Sequence, residues 1–117
     1  MADASASRVI VFGPEAVTGV IGPEPIVTLI DDIEALLVAL TEGSRAGSVV
    51  IWADAVNADD TARLAEAVRA CGKRCIEVRA ERWDGRTPSP LSAACAGVIS
   101  GFGANGIQAA VRLLSGL

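Results

Sequence analysis

A single α/β domain, a five-stranded parallel sheet wrapped by helices into three layers, is the fold this sequence predicts. Three observations predict it. A chain of 117 residues is near the common size of one domain, and splitting it would leave two cores too small to bury enough apolar surface. Hydrophobic residues make up 51% of the chain but aromatic residues only 3%, so Val, Ile, Leu and Ala must fill the core, as in strands covered on both faces. Short β-branched runs alternate with stretches of helical period across short links, and that alternation implies right-handed crossovers.

The elements follow in order. Arg8 to Phe12 is a β-branched run closed by Gly13-Pro14, a buried strand and its turn. Glu15 to Ile21 has room for one or two helical turns, weakened by Gly19 and Gly22, so the first helix is expected to be short. Pro25 to Ile30 reads as strand two, with proline at its tolerated first position. Asp31-Asp-Ile-Glu34 looks like a capping box opening a second helix, in which Ile33, Leu36, Leu37 and Leu40 recur at helical spacing before Gly43. Ser48 to Trp52 is unbroken in apolar character, which predicts a central third strand with Trp52 in the core.

Asn57 or Asp59 caps the third helix, whose inward stripe is Leu64, Val68 and Cys71 beside Thr61 and Ala65, and Gly72 closes it. Cys75 to Arg79 alternates, predicting a fourth strand with one face incompletely covered. A polar loop, Glu81 to Pro90, leads to a vestigial fourth helix of one turn at Leu91 to Cys95. Ala96 to Ser100 is the fifth strand. The last helix begins near Asn105 and buries Ile107, Ala110, Val111 and Leu114.

Charge and composition then exclude several functions. The net charge is −4 and the ten Lys and Arg are scattered, so no basic stripe can neutralise a nucleic-acid backbone, and direct nucleic-acid binding is not expected. No apolar run is long enough to cross a bilayer, and Met1 to Ser7 lacks the basic and hydrophobic regions of a signal peptide. Residues 1–7 are expected to be a disordered tail and residues 8–117 the domain, working in the cytoplasm without membrane contact. Cys71, Cys75 and Cys95 are an odd set that a reducing compartment keeps as thiols, and without any His they point to buried small residues rather than a metal site. Lacking His, Tyr and clustered acids, the chain presents no assembled acid, base and nucleophile, so it is expected to be no enzyme and to need no cofactor.

Five strand–helix units in this length, with Asp54 at the end of strand three and the closing stretch from Ala96 to Leu114, resemble a receiver domain of bacterial response regulators, across residues 8 to 115. The resemblance implies a flavodoxin-like sheet of order 2-1-3-4-5, with Asp54 at the family's phosphate-accepting position. The family holds magnesium with paired acids after strand one, but Gly13 and Pro14 stand there, with only Glu15 nearby. Its Ser or Thr after strand four matches Arg79 or Ala80, and its Lys after strand five matches Ser100 or Gly101. The expected picture is an atypical, phosphorylation-incompetent signalling module that acts through a protein partner or as a dimer.

Three local features extend that expectation. Arg79 emerges beside Asp54, so a fixed guanidinium–carboxylate pair can occupy the degenerate pocket; the alternative is an Arg79 that reaches into water. Gly101, Gly103, Asn105 and Gly106 form a glycine-rich turn before a helix, either an anion cradle or a device for turning and close packing. Trp83, with Arg82 and Arg86, is either an interface anchor or a cover for the thin face of strand four. Two further resemblances are weaker in their residues. Val49 to Ala55 is similar to the metal-binding strand of Toprim domains but lacks the metal pair, and Val11 to Gly19 is similar to the opening of the central-stalk F subunit of rotary ATPases.

Overall fold

The computed structural model describes residues 9–14, 27–41, 47–82, 84, 86 and 89–115. The expected N-terminal tail, the first helix at 15–21, the start of strand two, Glu15, Gly43 and Trp83 lie outside the described residues. Five parallel strands form one sheet: β1 (Val9–Phe12), β2 (Val27–Ile30), β3 (Ser48–Trp52), β4 (Arg74–Arg79) and β5 (Gly97–Ser100), in the order β2-β1-β3-β4-β5. That is the predicted three-layer architecture, with β3 at its centre.

The described helices are α1 (Ile33–Thr41), α2 (Ala58–Cys71), α3 (Pro90–Ala94) and α4 (Asn105–Ser115), with a short 3₁₀ turn at Ala53–Ala55. Alternate residues of each strand serve opposite layers. Val9, Val11, Val50, Trp52, Ile76 and Val78 pack against Ile107, Ala110, Val111 and Leu114 of α4. Ile10, Phe12, Val49, Ile51 and Cys75 pack against Leu36 and Leu40 of α1, Leu64 and Val68 of α2, and Leu91 of α3. β1 and β3 are buried on both faces and so read as continuous apolar runs, which is why they are the plainest strands in the sequence.

Helix ends follow local chemistry. Asp32 accepts from the Ala35 backbone N–H at 3.1 Å and caps α1, while Glu34 reaches Arg63 on α2 at 2.9 Å instead of turning back to complete a capping box. Gly72 adopts a left-handed conformation (φ 74°) and stops α2. The vestigial helix expected at Leu91 to Cys95 is α3, five residues long, started by Pro90 behind a Ser89 cap. No helix among the described residues is long and apolar enough to cross a membrane.

One expectation about β4 is overturned. Its alternation of apolar and polar residues does not mark a thinly covered face: Glu77 is only 1% exposed. The strand lies between β3 and β5 with α3 over the face that Cys75, Glu77 and Arg79 share, so the polar positions meet polar partners under that helix.

Candidate functional site at the carboxyl edge of the sheet

Parallel strands aim their carboxyl ends at one edge, and α/β domains place ligands there because every strand delivers a loop to that side. Gly13, Asp54, Arg79, Ser100 and the Gly101 turn all arrive at this edge. Gly13 is buried and its N–H donates to the Ile30 carbonyl at 3.0 Å, while Pro14 is exposed. Asp54 sits in the 3₁₀ turn after β3, exposed, with Oδ2 accepting from the Ala80 N–H at 3.3 Å.

The expected Asp54–Arg79 pair is replaced by another. Arg79 Nη2 lies 3.2 Å from Glu77 Oε2, and it donates to Ser89 Oγ at 3.0 Å and Ser92 Oγ at 3.1 Å. The reason is strand geometry: residues two apart on a strand share a face, so Glu77 and Arg79 both look toward α3. Ser92 Oγ donates a short hydrogen bond to Glu77 Oε1, and Ser89 Oγ accepts from the Ser92 backbone N–H at 3.2 Å as the helix cap. Each oxygen of this buried carboxylate therefore has a donor, which offsets much of the cost of taking a charge out of water. Sequence reading missed Glu77, Ser89 and Ser92. The signal available was an acid and a base two apart in an apolar strand, followed by Ser-Pro and a second Ser three residues on.

The glycine N–H groups of the glycine-rich turn are spent on backbone carbonyls. Gly101 N–H goes to the Arg79 carbonyl (3.3 Å), Gly103 N–H to Ala80 (3.0 Å), Gly106 N–H to Gly103 (3.1 Å) and Ile107 N–H to Ala104 (3.0 Å). An anion cradle would need those groups, so the structure favours the turning and packing role for Gly101, Gly103 and Gly106, with Asn105 exposed at the start of α4. Gly101 (φ 89°) and Gly103 (φ 57°) hold left-handed backbone that other residues resist. Ser100 is half-buried and paired in register with Arg79.

Beyond Arg79 the loop carries a surface cavity. Arg82, Asp84 and Arg86, all exposed, line a shallow cavity of about 450 Å³. Asp84 Oδ1 accepts from the Arg86 backbone N–H at 2.8 Å, a local turn that fixes the order of charges along the rim. Arg82 also passes close to Gly101: a side-chain carbon built on that glycine would stand 3.5 Å from Arg82 Cα. Two arginines and one aspartate among its described lining residues make this a net cationic spot on a chain of net charge −4, the chemistry that attracts a small anion.

No protein-family model and no curated protein matches the chain. Solved structures do. A type II dehydroquinase from Propionibacterium acnes superposes with a TM-score of 0.58 at 21% identity, over 94% of this chain and 98% of that one. A type II dehydroquinase from Butyrivibrio crossotus gives 0.64 at 17% identity, over 92% and 95%. A 3-dehydroquinate dehydratase-like protein from Bifidobacterium longum gives 0.52 at 20% identity, over 93% and 94%. The likeness is one of fold, and it corrects the receiver resemblance and the two weaker ones: these matching structures are dehydroquinases and a dehydroquinate dehydratase-like protein. The expectation of a signalling module that is no enzyme loses its basis with it, since these fold-mates are enzymes.

Proposed function

We propose that this chain is an enzyme acting on a small hydroxylated carboxylate, of the dehydratase kind its fold-mates represent, with the substrate held where Arg82 and Arg86 line the carboxyl edge of the sheet. The cavity that those two arginines line carries the reading. Arginine presents paired donors that fit a carboxylate's two oxygens, and an anion gains most where the flanking groups are already positioned. Loss of water beside a carbonyl requires a base to take a proton and an acid to assist the departing hydroxyl. With no His and no Tyr in the chain, Asp84 is the proton-transfer group among the cavity's described lining residues.

The chain's three free thiols support work in the cytoplasm, where thiols are kept reduced. 3-Dehydroquinate, taken from the name of a fold-mate, is the first substrate to test. Titrating it into the protein should shift the backbone amide signals of Arg82, Asp84 and Arg86, and the conjugated product of dehydration should grow in ultraviolet absorbance. Arg82→Ala should weaken binding about tenfold, the loss of one charge-assisted contact. Saturable binding that leaves those three amides unmoved, or no binding at all, would overturn the proposal.

A further inference from the structure

The site above makes no use of the thiols, which gather near the amino end of β4. Cys71, Cys75 and Cys95 all pack into the apolar layer under α1, α2 and α3, and none is in a disulfide. Cys71 ends α2 and Cys75 is the second residue of β4, joined through the tight turn that Gly72 permits. Both sulfurs meet the same residue between them: the Lys73 N–H donates to Cys71 Sγ at 3.3 Å, and Cys75 Sγ donates to the Lys73 carbonyl at 3.7 Å. Their surroundings differ. Cys71 is half-buried and lines a surface cavity of about 260 Å³ with Leu40, Thr41, Ala67 and Ala70, whereas Cys75 is 1% exposed behind it.

We propose that Cys71 and Cys75 form a peroxide-oxidisable dithiol in which Cys71 is the sulfur attacked from solvent and Cys75 the one that resolves it. The cavity beside Cys71 admits an oxidant the size of hydrogen peroxide. The Cys71 thiolate attacks one peroxide oxygen: an S–O bond forms, the O–O bond breaks, and the departing hydroxide takes a proton to become water. Cys75 sulfur then attacks Cys71 sulfur; an S–S bond forms, the S–O bond breaks, and the Cys75 proton leaves with the hydroxide as a second water. Two electrons pass from the thiols to one peroxide. Burial, reinforced by the neighbouring Cys71, pushes the Cys75 thiol upward, so the second step is the slower one. Burial and then the Glu77 charge push Cys95 up to about 12, which keeps it a thiol while Cys71 reacts.

The test treats the full chain with hydrogen peroxide, blocks remaining thiols by alkylation and cuts with trypsin, which separates the two cysteines at Lys73. One cross-linked pair should appear, Cys71 to Cys75, lighter by two hydrogen atoms and released by dithiothreitol, with Cys95 alkylated. In Cys71→Ser, Cys75 should oxidise at least about tenfold more slowly, its own exposure being negligible. In Cys75→Ser, dimedone should capture Cys71 as its sulfenic acid. A link through Cys95, a link between two chains, or full alkylation of all three thiols after exposure that oxidises free cysteine would overturn the proposal.

Discussion

Glu77 is the residue on which the outer half of the sheet turns. Its carboxylate lies inside an apolar layer, with Arg79 on one oxygen and Ser92 on the other. Replacing Arg79 by Met leaves that carboxylate without its guanidinium and should cost about 3 kcal/mol, the lower end for breaking a buried pair, read as a fall in urea midpoint. The double change Glu77→Leu with Arg79→Met removes both charges and should recover most of that loss; equal damage in single and double variants would refute the pairing account. Here the sequence was legible only in part. Period-two alternation says that every second side chain of Cys75 to Arg79 faces one way, but it cannot say whether that way holds water or a polar partner. The partners, Ser89 and Ser92, sit ten and thirteen residues beyond Arg79, past a loop with no periodicity.

α4 approaches the sheet more closely than any side chain at Gly106 would allow. A methyl group there would stand 2.8 Å from Val78 Cγ1 and 3.2 Å from Ile99 Cγ2. Gly106→Ala should therefore destabilise the fold by about 1–3 kcal/mol through overpacking, although Ala favours a helix by up to about 1 kcal/mol over Gly. A rise in thermal midpoint would show that helix propensity wins and that α4 can ride outward. This element was among the most legible, since Ile107, Ala110, Val111 and Leu114 mark one face at helical spacing and all four are buried. The glycines ahead of it supported two readings in sequence, because an anion cradle and a close helix approach ask for the same residue. Only the destinations of the N–H groups separate them.

Across the whole molecule, strand count, direction and order follow from spacing and apolar runs, and the observed order β2-β1-β3-β4-β5 agrees. Function did not follow, because that order is shared by folds of unrelated chemistry and fold alone does not fix function. Titration offers a global check. The folded state holds the Cys95 proton more tightly than the unfolded chain, its thiol rising from 9.0 to about 12. Stability from this source is complete below 9.0 and is lost as pH climbs from there toward 12, by up to about 1.4 kcal/mol per pH unit for one thiol. Cys75 acts in the same direction. Urea midpoints should thus fall between about pH 9 and pH 11 and fall less in Cys95→Ala; an unchanged slope in that variant would remove Cys95 from the account. The loop after β4 has a wider consequence. Its two ends are held to each other by the hydrogen bond from Arg79 to Ser89, so changes at the exposed Arg82, Asp84 and Arg86 should leave that anchor intact. Diversification of such a scaffold would concentrate between Glu81 and Arg86, and new chemistries could be tried there while the sheet beneath stays as it is.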